Sequence, residues 1–329
     1  MVTSPKSITQ LSSICDLSVV VPIYNEHESI PLLIEKITQV ARAMEVSYEL
    51  ICVDDGSTDG SAELLKKLAR ERHDLRVILL RRNYGQTPAM AAGFNYAKGR
   101  VIVTLDGDLQ NEPADIATVY QKLHEGYDLV SGWRKERQDN AVTRLLPSKI
   151  ANWLIARVTG VRLHDYGCSL KAYNADVVKD MNLYGELHRF LPALAYIEGA
   201  RISEVPVRHH ARQFGQSKYG LGRTFRVVLD LLTIYFMKTF LTRPMHVFGP
   251  FGAISVLAGV VLSFYLAFIK FILQADIGNR PLLMLAVVLF ISGIQLLSVG
   301  LLAELMMRTY HESQQRPIYR VREVVGGKL

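Results

Sequence analysis

The chain lacks the features that would build it from cross-links or mark it as a common nucleotide-binding machine. Its three cysteines, Cys15, Cys52 and Cys168, are an odd number without metal-type spacing. That excludes a disulfide framework or a cysteine zinc site and fits a reducing compartment, with Cys52 a core residue inside an apolar stretch. No GxGxxG follows the first apolar run and no GxxxxGK[ST] occurs anywhere, so the usual dinucleotide and P-loop readings fail. Internal repeats and low-complexity tracts are also missing, which excludes a solenoid or a long disordered linker. Residues 1–16 are polar, lack the apolar segment of a secretory signal, and read as a flexible tail.

Charge is absent from two long stretches, 247–269 and 281–303. Each exceeds the ~20 residues a helix needs to cross the bilayer core. They predict two transmembrane helices, about 247–271 and 281–305, within a segment 244–308. Arg223, Arg226, Lys238 and Arg243 precede this hairpin, and Arg308, Arg316, Arg320, Arg322 and Lys328 follow it. The short connection carries only Asp276 and Arg280. The positive-inside rule then puts both termini in the cytoplasm and makes the chain a multi-pass membrane protein. A net charge of +7 could also suit nucleic acid, but basic residues gathered beside a membrane segment are accounted for by anionic lipid, so no nucleic-acid partner is expected.

Within 219–243, Leu221, Phe225, Val228, Leu229, Leu232, Tyr235 and Phe236 recur at helical spacing, interrupted by Arg223, Arg226, Asp230 and Lys238. This predicts an interfacial amphipathic helix, with a core helix as the alternative. Glu304 would be costly facing lipid, so a contact with another helix or subunit, and hence a homo-oligomer, is expected. Residues 309–329 read as a cytoplasmic tail able to form a short extended arm.

Residues 17–218 alternate apolar runs with helical patterns. Strands are predicted at 17–22, 49–54, 77–80, 101–105 and 128–132, and helices at 28–44, 60–72, 87–97 and 114–125. The rhythm implies an α/β domain with a mostly parallel sheet flanked by helices, and ligands bound beyond the carboxyl ends of the strands. Three of those ends are polar or acidic: Pro22 to Glu26, Asp54 to Asp59, and Asp106 to Gln110. Taken singly, Asp-Gly and Ser-Thr-Asp are turn and cap chemistry. Carboxylates gathered on one rim repel one another unless a cation or hydrogen-bond donors intervene. An Asp-x-Asp turn with a nearby Gln suits a hard divalent cation, Mg2+ or Mn2+, that would bridge a diphosphate and neutralise a departing phosphate. That combination points to a nucleotide-sugar donor.

The motifs VVVPIYNE at 19–26, VDDGSTD at 53–59, RRNYGQTPAMAAGF at 81–94 and LDGDLQ at 105–110 follow one another in an order that resembles glycosyltransferase family 2, whose fold is called GT-A. Within it the chain is most similar to the dolichol-phosphate-mannose-synthase-like branch. With the hairpin it looks like a bacterial GtrB-type polyisoprenyl-phosphate glucosyltransferase. The Gln-x-x-Arg-Trp signature of processive relatives is absent.

The resemblance implies roles for single positions. Pro22, Tyr24, Glu26 and Asp54 would line the nucleoside pocket, Asp106 would contact the ribose or diphosphate side, and Asp106, Asp108 and Gln110 would hold the metal. The family's Arg-x-x-Gly-x-Ser-Lys segment falls at 212–218, where Arg212 would meet the diphosphate and Lys218 would join the donor site. Asp165 matches the position where inverting relatives place a base. It could equally orient the acceptor or stabilise developing positive charge, because a phosphate monoester with a second pKa of about 6 is already nucleophilic at neutral pH.

On the acceptor side, Arg134, Lys135 and Arg137 follow a strand end, and Arg144 and Ser148 lie at the start of a predicted helix. Such a basic cluster suits a lipid phosphate, with Arg134, Arg144 and Ser148 as the first candidates, although a solvated basic loop would read the same way. The expectation is metal-dependent, inverting transfer of glucose from UDP-glucose to undecaprenyl phosphate at the cytoplasmic face of a bacterial inner membrane. The same chemistry with GDP-mannose or UDP-aminoarabinose is the nearest alternative. A non-catalytic nucleotide-binding scaffold is a more distant one.

Overall fold

The computed structural model describes residues 15–135, 156–157, 160–179, 181, 187–211, 244–274, 276, 281–313 and 318–327. Among them the chain divides into two compact units. One combines the N-terminal region with residues from Pro317 onward, and the other is Leu232–Arg316.

The first unit is built on one eight-stranded sheet in the order β7-β5-β6-β4-β1-β2-β3-β8. The strands are β1 (Cys15–Ile23), β2 (Tyr48–Asp54), β3 (Leu75–Leu80), β4 (Gly99–Thr104), β5 (Leu129–Trp133), β6 (Lys171–Asn174), β7 (Ile202–Pro206) and β8 (Val321–Gly326). The strands β4, β1, β2 and β3 run parallel to their neighbours within that group. β6 lies antiparallel between β4 and β5, and β8 is antiparallel on the edge of β3.

Strict alternation along the buried strands sends side chains to two cores. Leu17, Val19, Val21, Leu50, Cys52, Val77 and Leu79 pack with helices α1 (Ile30–Ala43), α2 (Ser61–Glu71) and α4 (Asp115–His124). Val20, Ile51, Val53, Ile78 and Leu80 face α3 (Gln86–Tyr96), α5 (Ala175–Lys179) and α6 (Leu191–Ile197). All three cysteines are free and buried, and burial pushes the Cys52 thiol up to about 12.

β8 falls within the tail 309–329, for which a short extended arm was expected, and pairs with the sheet edge. It carries VREVVG, mostly exposed, so its sequence has no buried-strand pattern. What fixes it is side-chain chemistry around it. The Arg76 guanidinium donates to the carbonyls of Tyr96 (2.8 Å) and Gly327 (3.2 Å) and pairs with buried Glu49 (3.3 Å). Buried Tyr319 accepts a hydrogen bond from Asn95 Nδ2 (2.8 Å), and Lys66 pairs with Glu323 (3.2 Å). β6 was unexpected for a similar reason: it is short and begins with Lys171, a buried cation whose Nζ donates to the Tyr166 and Cys168 carbonyls.

The second unit holds α7 (Pro244–Phe271) and α8 (Pro281–Ser313). The segments Phe248–Phe271 and Pro281–Leu302 have mean hydropathies of 2.2 and 2.5 and are mostly unburied. A core helix of a soluble protein would hide such a surface. These leave Phe251, Ile254, Phe264, Phe268 and Met284 exposed, as lipid-facing helices do. The pair packs closely at Gly259, where a Cβ would lie 2.8 Å from Phe290 N and 2.9 Å from the Ala286 oxygen, the small-residue contact typical of membrane helices. The predicted interfacial helix at 219–243 lies outside the described residues.

Candidate active site

The loops following β1, β2, β3 and β4 are laced together by side-chain hydrogen bonds. Asn25, in left-handed backbone at φ 54°, donates its N–H to Ser57 Oγ (2.9 Å) and accepts from the Thr58 N–H (2.8 Å). Glu26 N–H donates to Ser61 Oγ (3.1 Å), and Ser29 Oγ donates to the Gly107 carbonyl (2.7 Å). The buried Asp55 carboxylate accepts the N–H groups of Tyr84 (2.7 Å) and Gly85 (2.8 Å), which ties the second loop to the third. Burial raises Asp55 to about 6, against those two hydrogen bonds. Gly56 has φ +71°, and a Cβ there would meet the Arg82 backbone at 2.5 Å; only glycine allows this approach.

Within this frame three acidic residues stand out. Asp54 ends β2 at 1% exposure, with Oδ2 accepting from the Ser57 N–H (3.3 Å) and Oδ1 buried with no hydrogen-bond partner among the described residues. An orphaned buried carboxylate oxygen is costly unless a ligand N–H completes it. Asp106 accepts from Gln86 Nε2 (2.7 Å), and Asp108 Oδ1 accepts from the Gln110 N–H (3.1 Å). Burial first, and the Asp108 charge second, raise Asp106 to about 6. The turn between Asp108 and Gln110 runs through Leu109 in left-handed backbone at φ 59°, an unfavourable conformation for leucine. Its side chain is buried in the core, which holds the turn in place.

No cluster of three or more His, Cys, Asp or Glu suited to a metal occurs among the described residues. Two carboxylates are nevertheless the protein share that a magnesium-like ion takes when substrate phosphates and water supply the rest. Asp106 and Asp108 therefore fit such an ion bound together with a diphosphate. Gln110 donates its side-chain amide N–H to the His210 carbonyl at 3.5 Å, and its backbone carbonyl accepts the His210 N–H (2.8 Å). His210 in turn meets Glu112 (3.0 Å).

Arg134, beyond the end of β5, and Asp165 meet directly. Arg134 Nε donates to Oδ2 (2.6 Å) and Nη2 to Oδ1 (3.0 Å), and the Gly167 N–H adds a bond to Oδ1 (3.0 Å). Burial works against the Arg134 charge, yet the bonded Asp165 carboxylate outweighs it and raises the guanidinium pKa above its ordinary value. His164, given no role from sequence, stacks on Trp133 with ring centroids 4.3 Å apart and pairs through Nδ1 with Glu204.

Of the residues singled out by sequence, Pro22, Tyr24, Glu26, Asp54, Asp106, Asp108 and Gln110 lie in or beside the β1, β2 and β4 loops. Arg134 and Asp165 form a bonded couple, and the Arg134 charge acts on Asp106 as well. Arg144, Ser148, Arg212 and Lys218 lie outside the described residues. Missed from sequence were Gln86, which orients Asp106, and Asp55, which fastens two loops. The pair Asn111 Nδ2 to Ser169 Oγ (2.6 Å) was missed as well. Gln86 lay inside a quoted motif, but a lone glutamine there gives no sign of its partner.

The family model for "Glycosyl transferase family 2" matches residues 18–181. A dodecaprenyl-phosphate galacturonate synthase of Rhizobium johnstonii is 48% identical over 94% of this chain and 93% of its own. The chain belongs to glycosyltransferase family 2. An undecaprenyl-phosphate 4-deoxy-4-formamido-L-arabinose transferase of Yersinia enterocolitica is 37% identical over 98% of this chain and 97% of its own. Among solved structures, glucosyl-3-phosphoglycerate synthase of Mycobacterium tuberculosis with Mn2+, UDP and phosphoglyceric acid aligns at TM-score 0.51 and 18% identity, covering 69% of this chain and 80% of that one. The mixed sheet is thus the GT-A fold, and the chain is a glycosyltransferase.

Proposed function

We propose that this glycosyltransferase moves one sugar from a uridine diphosphate donor to the phosphate of a polyprenyl phosphate, at the cytoplasmic face of a bacterial inner membrane. The observation that carries the reading is the acidic edge itself: an Asp54 oxygen awaiting a donor, on the same sheet edge as the Asp106 and Asp108 pair that suits a cation with a diphosphate. The names of the relatives, alike over nearly their whole length, supply the acceptor class. They also support galacturonate or a formamido-arabinose at least as well as glucose, so UDP-glucose is one donor candidate among several.

When bound, a divalent ion would offset charge on the departing diphosphate, held by Asp106 and Asp108. Asp165 already accepts four hydrogen bonds, three from Arg134 and one from the Gly167 N–H, so its oxygens are occupied. An acceptor phosphate needs no proton acceptor, since it is largely dianionic at neutral pH. Asp165 and Arg134 therefore orient rather than deprotonate, and the reaction proceeds by alignment and electrostatics. A single in-line displacement gives inversion. The strand pairing of β3 with β8 supports the topology: chain from before and after the two apolar helices shares one sheet, and so lies on one side of the membrane. Two spans satisfy that requirement, and the basic flanks select the cytoplasm. The test is the anomeric configuration of the purified lipid product by NMR. An α-linked donor must yield a β-linked product, and an α-linked product would overturn the single displacement.

A further inference from the structure

We propose that Arg322, on the C-terminal strand, belongs to the nucleoside end of the donor site, where it and Asp54 together read the base. This rests on the donor reading above. Asp54 pairs in register with Leu79 on β3, and Leu79 pairs with Glu323 on β8. The next pair is Leu80 with Val321, so the register shifts and Arg322 is the extra residue with no counterpart. Such a bulge takes a side chain out of the ordinary alternation and re-aims it, often at a site. Two strand spacings, about 9–10 Å, separate β2 from β8, a gap that a long arginine reaching toward a carboxylate can span.

Two further observations converge on the same place. Asp54 Oδ1 is buried and has no hydrogen-bond partner among the described residues. Arg322 is exposed, and its charge opposes the effect of burial on Asp54. A carboxylate beside a guanidinium matches an N–H next to a carbonyl. Uracil and guanine present that edge as a ring N–H flanked by a carbonyl, whereas cytosine and adenine offer an exocyclic amine beside a ring nitrogen. The chain after the membrane helices would thus supply a specificity residue to a site otherwise built before them.

The experiment measures UDP, GDP and CDP binding to the full chain in detergent with Mg2+, by calorimetry, alongside thermal unfolding. Arg322→Gln is expected to weaken UDP about tenfold, as loss of a charge-assisted hydrogen bond does, and to narrow the preference for UDP over CDP. Arg322→Lys should keep most of the affinity. Glu323→Gln, its neighbour on the strand, should leave binding unchanged. If Arg322→Gln binds UDP within twofold of wild type while Asp54→Asn does not, the proposal is overturned and the donor reading stands. If Arg322→Gln and Glu323→Gln weaken UDP equally and unfold earlier together, the strand matters only structurally and the proposal again fails. If the wild type binds neither UDP nor GDP, the donor reading itself falls.

Discussion

Removing the Arg134 side chain tests whether Asp165 is a working base or a buried half of an ion pair. The side chains are 13% and 4% exposed, so neither charge is well solvated. In Arg134→Met, Asp165 keeps the N–H groups of residue 134 and Gly167 and loses both guanidinium bonds, leaving a buried carboxylate short of a counter-charge. Breaking such a pair from one side costs about 3–5 kcal/mol. For a domain of this size each kcal/mol moves the unfolding midpoint by about 2–4 °C, so a fall of about 6–20 °C is expected. Replacing both, Arg134→Met with Asp165→Leu, removes the uncompensated charge and should recover much of that loss while activity stays absent. The assay is a double-mutant cycle by thermal unfolding in detergent, with turnover followed in parallel. If Arg134→Met unfolds within 2 °C of wild type (under about 1 kcal/mol on the same scale) yet loses acceptor affinity, the ion pair is not structural. Arg134 would then be an acceptor ligand free of Asp165.

Two further expectations concern buried groups. Burial holds Asp55 at about 6, above the ordinary 3.8, so the folded chain binds that proton more tightly than the unfolded one. Its contribution is full below the unfolded pKa and is lost as pH rises toward 6, by up to about 3 kcal/mol. In Asp55→Asn, the fall in unfolding temperature between pH 4 and 7 should shrink, and equal pH slopes would refute the assignment. Tyr319→Ala empties the pocket behind β8 and should cost about 3 kcal/mol, read as an earlier midpoint in thermal unfolding; no shift would mean the C-terminal strand is not anchored there.

The parallel core of the fold was legible because its signal is local. Val19–Val21 and Leu50–Val53 are apolar on both faces, as a strand covered by helices must be. The acidic loops were legible because turn-forming residues fall at successive strand ends. β6 and β8 were not, since their stability comes from partners distant in sequence. β6 is held by its antiparallel pairing with β4 and β5, and β8 by Arg76, Asn95 and Lys66. The site was legible to the level of residue types. Nothing in sequence announced that Arg134 binds Asp165, or that Asp55 and Gln86 brace the loops carrying Asp54 and Asp106. Such pairings are three-dimensional facts between chemically ordinary side chains.

The most direct test is sugar transfer itself. The purified chain would be incubated with undecaprenyl phosphate, Mg2+ or Mn2+, and radiolabelled UDP-glucose, UDP-galacturonate, UDP-formamido-arabinose or GDP-mannose, counting label in the organic phase. The account predicts label from a UDP-linked sugar, abolished by EDTA and reduced at least about a hundredfold in Asp108→Asn, in the range that loss of one charge-stabilising group costs, with the unfolding temperature unchanged. Nucleotide binding without transfer from any donor would contradict it and leave a membrane-bound nucleotide-binding scaffold.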